Sequence, residues 1–256
     1  MNRPHENLVE AQFGPRAKAY VESAVHADGD DLKALEEIVA AIRPKNALDL
    51  GAGGGHVSYR VARFADRVSA VDLSSEMLAA VSATAREKGL SNVTTVRASV
   101  EALPFADGAF DFLACRYSAH HWRHFDAGLR EARRVLNKGS QAVFVDVCAP
   151  ASPLFDTHLQ AVELLRDASH VRNYTLAKWA AALSNAGFAI DRLWTSQLRM
   201  DFPIWTARMR TPDDNVLAIR SLQVAASGTT KAHFEIESDG SFAIGVMFVC
   251  VKAEER

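Results

Sequence analysis

The apolar positions of this chain follow two alternating periods. Leu32, Leu35, Ile38, Val39 and Ile42 share one face of a helical period, which predicts an amphipathic helix over 31–42 with Pro44 just past its end. Short apolar runs then alternate with helical patterns. Strands are predicted over 47–50, 67–71, 92–97, 110–115 and 141–147. Helices are predicted between them: over 54–64, with Val57, Val61 and Phe64 on one face; over 75–88, capped by Ser74 or Ser75 and stopped by Gly89; and over 125–136, ending near Gly139. Strands alternating with helices imply right-handed crossovers and a parallel sheet. The alternation breaks after Pro150. Helices are predicted there over 154–166, 175–185 and 211–226, and strands over 188–198 and 242–251, the last introduced by an Asp239-Gly240 turn. One α/β domain over 1–256 is expected, with a cap segment at 1–30, a core at 31–150, and lid elements and further strands at 151–256; the segments 152–172 and 200–228 are the lid candidates.

The first predicted strand runs into its helix through ALDLGAGGGH, with Gly51, Gly53 and Gly55 in the turn. A ligand passes close to backbone only where side chains are absent, and a tight strand-to-helix turn can demand positive φ. In an open parallel sheet this turn lies at the carboxyl ends of the strands, where ligands bind. Asp72 closes the second strand, 21 residues after Gly51. A carboxylate there accepts hydrogen bonds from both hydroxyls of a ribose, so the pair predicts an adenosine-containing ligand. NAD favours G-x-G-x-x-G with its pyrophosphate at the helix start. Here the spacing is shorter, and Asp49 stands just before the loop. A carboxylate repels a pyrophosphate and attracts an ammonium. S-adenosyl-L-methionine carries an ammonium and a sulfonium, and it is the cofactor expected.

Composition excludes several classes. A net charge of -2 argues against a general nucleic-acid binder, so no nucleic-acid partner is expected. Cys115, Cys148 and Cys250 are far apart and lie in apolar runs, so they are read as buried thiols rather than a disulfide set or a zinc site. The start of the chain is polar, and the longest apolar runs, 142–149 and 242–251, fall well short of the roughly 20 residues of a membrane span. A cytoplasmic protein without a membrane span, monomeric or homodimeric, is the expectation.

LDLGAGGGH resembles the first motif of class I S-adenosylmethionine-dependent methyltransferases, and VSAVDLSSEML their second. NVTTVRASVEALPFADGAFDFLACRYSAHHW and EARRVLNKGSQAVFVD are similar to the segments that follow, and QFGPRAKAY to the opening of the type 11, ubiquinone/menaquinone C-methyltransferase-like branch. The likeness covers about 31–147. It implies a three-layer, Rossmann-like fold: a mostly parallel seven-stranded sheet with an antiparallel C-terminal strand and a helical lid. It also implies that Asp49, Gly51, Ala52, Gly53 and Gly55 surround the methionine and ribose parts of the cofactor. Asp72 falls on the ribose hydroxyls, and Leu73 and Met77 against adenine. Many relatives place an aspartate after the third strand to bind the adenine amino group; here Ser99 stands there, with backbone groups of Ser99 and Val100 as its substitutes. Arg116 completes this set.

Methyl transfer from a sulfonium is an in-line displacement that needs mainly alignment, and a general base only when the nucleophile carries a proton. The exit of the fourth strand reads CRYSAHHWRHF and lacks the [DN]-P-P-[YFW] signature of many N-methyltransferases. His121, His120 and Tyr117 are the catalytic candidates, with His124 beside them; no metal site is expected. Tyr20, Ser23 and His26 share a helix-like spacing that suits a cap over the cofactor. Arg166, Asp167, His170 and Arg172 form a charged cluster that suits an acidic group on the acceptor. Trp179, Trp194 and Trp205 read mostly as core packing, with an apolar acceptor pocket as the alternative. The expected reaction is C- or O-methylation of a planar or hydrophobic small molecule. An NAD(P)-dependent oxidoreductase and a non-catalytic S-adenosylmethionine-binding module are the alternatives.

Overall fold

The computed structural model describes residues 5–14 and 29–254. Seven strands lie side by side in one sheet: β1 (Asn46–Leu50), β2 (Arg67–Asp72), β3 (Val93–Arg97), β4 (Phe110–Arg116), β5 (Leu136–Ala149), β7 (Phe188–Met200) and β8 (Phe242–Ala253). Their order is β3-β2-β1-β4-β5-β8-β7. β1 to β5 pair in parallel, whereas β8 runs antiparallel to both β5 and β7. A short β6 (Tyr174–Thr175) adds to β5 at Cys148 and Ala149. The sheet is the expected one, with this two-residue strand as an addition that is too short to carry a period.

The helices are α1 (His5–Phe13), α2 (Asp30–Ile42), α3 (His56–Val61), α4 (Ser75–Glu87), α5 (Phe125–Val135), α6 (Pro153–Arg166), α7 (Leu176–Ala186), α8 (Phe202–Met209), α9 (Asp213–Ala225) and α10 (Gly228–His233). Alternation along the strands splits the core in two. Leu48, Leu50, Leu113 and Phe144 pack with Leu129 and Val135 of α5 and Trp179 and Leu183 of α7. Ala47, Phe112, Val143 and Val145 pack on the other face with Leu32, Leu35 and Val39 of α2 and Val57 and Val61 of α3. This two-faced burial is why the strands read as continuous apolar runs.

Several ends follow local chemistry. The Ser74 hydroxyl accepts the Met77 N–H and caps α4, Thr175 does the same for α7, and Gly187, at φ 91, ends α7. Two ends differ from expectation. α3 is shorter than 54–64 because Gly55 is left-handed and delays its start. α5 passes directly into β5 at Leu136 rather than ending near Gly139, because the Leu136–Ala149 strand finds partners on both sides. The helices α8 and α10 were not legible from periodicity, being only 8 and 6 residues long. With α6 and α9 they pack Leu159, Val162, Trp205, Ile219 and Phe234 onto Val147, Ala149, Phe242 and Ile244 at the ends of β5 and β8, a third apolar cluster beside the sheet.

Cys115 and Cys250 are buried and Cys148 is half-buried; all three are free thiols, pushed up in pKa by burial. Among the described residues no helix is long and apolar enough to cross a membrane.

Candidate functional site

The glycine turn between β1 and α3 is tied to the second strand. Val71 offers its carbonyl to the N–H groups of Gly51 (2.9 Å) and Ala52 (2.8 Å). Gly51 and Gly53 are left-handed, at φ 74 and 50. Asp72 holds the turn from the other side: its Oδ2 accepts the Gly53 N–H and its Oδ1 the Ser74 N–H, both at 2.9 Å. One carboxylate thus joins the glycine turn to the start of α4. Each oxygen keeps a lone pair for a further donor. Burial raises the Asp72 pKa above the usual carboxylate range, against the pull of these backbone hydrogen bonds.

Asp49 lies on the strand face opposite Leu48 and Leu50, and is 2% exposed. Ser58 of α3 donates to its Oδ2 twice, from the backbone N–H (2.9 Å) and the hydroxyl (2.6 Å). Oδ1 receives no hydrogen bond from a described residue. Burial raises this carboxyl from 3.8 to about 7, with the Ser58 hydrogen bonds acting against it and the Asp72 charge adding to it. A buried carboxylate with an open oxygen calls for a cation.

These groups line a cavity beside the glycine turn. Asp49, Gly51, Ala52, Gly53, Asp72, Leu73, Met77, Ser99, Val100 and Arg116 all face it. Gly55 does not. It caps α3 at φ 78, and a Cβ there would lie 2.7 Å from the Tyr59 hydroxyl oxygen, so packing against α3 by itself requires a glycine here. Ser99 uses its hydroxyl to accept the Glu101 N–H at 3.4 Å, which leaves its O–H free to donate.

Four lining residues come from α1: His5, Glu6, Val9 and Phe13. The His5 imidazole Nε2–H donates to the His121 carbonyl at 3.1 Å, Phe13 meets the His121 ring edge-on at 5.0 Å, and Arg97 pairs with Glu10 at 2.9 Å. α1 therefore covers the cavity mouth, a role the sequence pattern did not show because none of its side chains is fully buried and no apolar stripe forms. The cap expected at Tyr20, Ser23 and His26 lies outside the described residues.

A second cavity adjoins the first. Phe13, Arg116, Tyr117 and His121 line both. His120, Glu163, Arg166, Asp167, Gln197 and Arg208 line the second alone. Tyr117 sits at the junction with φ 50, a left-handed conformation that costs a non-glycine residue of order 1 kcal/mol and that clusters at functional sites. Its N–H donates to the Val145 carbonyl, and Arg116 stacks over its ring at 4.6 Å while pairing with Asp31 at 2.5 Å. Burial pushes the Tyr117 phenol further up.

Three histidines meet here. His120 Nδ1 lies 2.6 Å from Asp146 Oδ1. His121 Nδ1 lies 3.1 Å from the Ser169 carbonyl, and its Nε2 is 4.0 Å from Asp167, beyond a hydrogen bond. His170 bonds Gln160 at 3.0 Å. Burial lowers all three; for His120 the charge and hydrogen bond of Asp146 more than offset it and the net shift is upward. His121 is held low by burial and by His120, and His170 falls to about 2 for the same reasons.

The remaining candidate residues are only partly in the cavities. Trp179 and Trp205 are core residues and Trp194 stacks on Phe248 at 4.1 Å in the edge strand; none of them lines either cavity. Of the charged cluster, Arg166 and Asp167 face the second cavity, whereas Arg172 pairs outward with Asp156. His124 precedes α5, donating its N–H to Glu101, and lines neither cavity. Asp146 and Glu163 escaped the sequence reading, though each is an acid set in an otherwise apolar stretch of strand or helix. Among the described residues, no group of three His, Cys, Asp or Glu side chains is arranged to hold a metal.

Residues 48–144 match a family model described as a methyltransferase domain. The chain is 42% identical over 195 residues to the uncharacterised Escherichia coli K12 protein YafE, covering 76% of this chain and 94% of that one. It is 34% identical over 205 residues to YcgJ of Bacillus subtilis 168, described as an uncharacterised methyltransferase, covering 80% and 81%. The crystal structure of YcgJ superposes with a TM-score of 0.83 at 29% identity, over 89% of this chain and 99% of that one. Ubiquinone/menaquinone C-methyltransferases are also similar; that of Allorhizobium ampelinum is 29% identical over 161 residues, 59% of this chain and 62% of its own.

Proposed function

The chain belongs to the class I S-adenosylmethionine-dependent methyltransferase family, and from that premise we propose that it transfers a methyl group from S-adenosylmethionine to a small molecule bound in the second cavity. One observation carries this reading: a cavity lined by a buried carboxylate, Asp49, and a half-buried one, Asp72, shares the wall Arg116–Tyr117 and His121 with a second, polar cavity. The residues fit the donor. Asp49 Oδ1 is an unneutralised buried acid suited to the ammonium, and a Cβ on Gly53 would enter open space, as expected of backbone that a ligand covers. Asp72 offers an acceptor lone pair on each oxygen to the ribose hydroxyls. Leu73, Met77 and Val100 give the adenine an apolar bed. When bound, S-adenosylmethionine supplies an activated methyl group. The protein holds donor and acceptor in line, closes α1 over them and excludes water, and such alignment is worth roughly 7–11 kcal/mol. The two acidic groups disfavour the pyrophosphate of NAD, and family membership sets the oxidoreductase alternative aside.

Calorimetry with S-adenosylhomocysteine and with NAD tests the donor. The homocysteine form is expected to bind at least ~100-fold more tightly; the reverse order overturns the reading. Transfer of labelled methyl from the donor into a small-molecule panel, bulk RNA and protein tests the acceptor class, and label found only in the macromolecules sinks it.

Asp49 adds a pH prediction. Its carboxyl is raised to about 7 in the ligand-free cavity, so its contribution to ligand-free stability is greatest at low pH and is lost as pH rises through 7. An ammonium needs the ionised form. Affinity for S-adenosylhomocysteine is therefore expected to fall by about tenfold from near pH 7 to near pH 5.5, with proton release on binding in the acidic range. Asp49→Asn flattens that dependence; an unchanged slope in the variant separates Asp49 from the ammonium.

A further inference from the structure

The second cavity contains an acid–imidazole pair whose parts are all committed but one. Asp146 ends an apolar run of β5 and is 2% exposed. Its Oδ2 accepts the Ala119 N–H at 2.9 Å, and its Oδ1 accepts the Val147 N–H at 2.8 Å and the His120 ring at 2.6 Å. Three donors fix this carboxylate, so it acts on His120 as an acceptor and sets the tautomer: Nδ1 carries the proton and Nε2 the lone pair. The backbone fixes the ring as well, since the His120 carbonyl accepts the N–H groups of Val171 and Arg172 at 2.9 and 3.1 Å. Nε2 has no hydrogen-bond partner among the described residues, and His120 faces the second cavity.

His121 lacks this arrangement. Its Nδ1–H is given to a neutral carbonyl, and the nearest carboxylate is 4.0 Å from Nε2, so an imidazolium there gains no hydrogen-bonded counter-charge. His170 is turned to Gln160. Of the three rings, His120 alone lines the second cavity with a hydrogen-bonded buried carboxylate behind it and an Nε2 that no described residue occupies.

Resting on the reading that this chain transfers a methyl group, we propose that His120, oriented by Asp146, is the general base of the transfer, and that the acceptor is a small molecule with an acidic hydroxyl, a phenol or an enol. A neutral amine attacks without prior loss of its proton, and a thiol ionises readily near neutral pH; a phenolic hydroxyl, with a pKa near ~10, is the group that needs a base. Val147, Leu198 and Val246 give the cavity an apolar wall for a ring. Nε2 takes the hydroxyl proton. The freed oxygen pair forms the O–C bond to the methyl carbon as the C–S bond breaks and its electrons pass to sulfur. Asp146 balances the resulting imidazolium, which then releases its proton to solvent. The groups that set the charge around His120 are Asp146, Glu163 and Asp167 on the acidic side and His121, His170, Arg166 and Arg208 on the basic side. Their net effect favours the protonated ring, so His120 is a stronger base than a free imidazole.

The test begins with nitrogen-15 histidine NMR of the full chain saturated with S-adenosylhomocysteine, at about pH 8. His120 is expected to show a protonated Nδ1 and a bare Nε2, and to titrate above a free imidazole; Asp146→Asn is expected to move that titration down by about tenfold in proton affinity. Turnover is then read on phenol, catechol and 1-naphthol, with para-nitrophenol as an acceptor already ionised near neutral pH, and with benzylamine and thiophenol beside them. His120→Gln is expected to lose about 10²–10⁴-fold on the un-ionised phenols, less than tenfold on para-nitrophenol, and less than twofold in S-adenosylhomocysteine affinity. Equal losses on ionised and un-ionised phenols, a proton on Nε2, or a titration unmoved by Asp146→Asn overturns the base assignment. Methylation of the amine or thiol but of no phenol overturns the acceptor class and leaves methyl transfer standing. Failure to bind S-adenosylhomocysteine strikes the underlying reading instead.

Discussion

Gly51→Ala is expected to lower the melting temperature by about 5–12 °C and to abolish donor binding, whereas Gly53→Ala abolishes binding with a smaller loss of about 2–6 °C, from backbone strain alone. Both glycines are left-handed, at φ 74 and 50, so an alanine at either costs about 1–2 kcal/mol of backbone strain. What separates them is space. A Cβ at Gly51 lies 1.9 Å from the Ser118 hydroxyl and 2.6 Å from its Cβ, distances that force the loop or the 117–118 segment to move. That segment cannot move cheaply: Tyr117 is itself left-handed, and the Ser118 hydroxyl accepts the Trp122 indole N–H at 3.1 Å. Strain and clash together reach ~2–4 kcal/mol, the range of the large single-site effects, and for a domain of this size each kcal/mol is about 2–4 °C. A Cβ at Gly53 meets nothing within 4 Å and projects into the donor cavity, so its cost falls on the ligand. Thermal melts with and without S-adenosylhomocysteine check both variants. Adding Ser118→Ala to Gly51→Ala is expected to recover part of the lost stability by removing the 1.9 Å hydroxyl contact, but to leave the 2.6 Å Cβ contact and the strain at φ 74. Equal melting shifts for the two glycine variants, or no recovery in the double variant, contradict this account.

How much of this was readable in the chain differs between its two halves. The donor side was legible because its chemistry is local: LDLGAGGGH and the acid of the next strand lie within one strand–helix–strand unit, and the backbone there leaves few ways to arrange them. A glycine needed for a helix cap and one needed for a ligand look alike in sequence; at Gly55 the Tyr59 contact shows the packing need. The acceptor side was legible in part. His120 and His121 stood out at the exit of β4, but adjacent residues cannot be ranked without knowing what lies behind each ring. Asp146 is 26 residues from His120 and Asp167 is 46 from His121, and neither separation has a period. A large ring in a lid segment and one in a core read alike in sequence; the core reading holds for Trp179 and Trp205, which are buried. Helix α1 was missed since it buries no residue fully; its position depends on contacts to His121, Met209 and Arg97, all distant in the chain.

The division between the two cavities predicts an asymmetry between two point variants. Asp72→Ala is expected to weaken S-adenosylhomocysteine binding by at least ~100-fold, and His121→Ala by less than about fivefold. Asp72 does two jobs with one carboxylate. It accepts the N–H groups of Gly53 and Ser74, and in the proposed complex it accepts both ribose hydroxyls. Alanine leaves two backbone donors without their partner and removes both ligand bonds. Unmade buried hydrogen bonds cost about 1–3 kcal/mol each, so a loss of ~3 kcal/mol or more in affinity follows. Asp72→Asn keeps one acceptor oxygen and is expected to fall between, at about tenfold. His121 lines the junction, but its ring is turned to the Ser169 carbonyl and Asp167, and its contact with the donor cavity is through its edge and its link to α1. Stability separates direct loss from collapse. Asp72 is a half-buried acid whose pKa desolvation has raised, so its removal also relieves a desolvation cost. The ligand-free melting temperature of Asp72→Ala should then stay within about 4 °C of the parent while the shift produced by S-adenosylhomocysteine disappears. Equal affinity losses in Asp72→Ala and His121→Ala would show that the two cavities act as one site, with no donor side and acceptor side to tell apart.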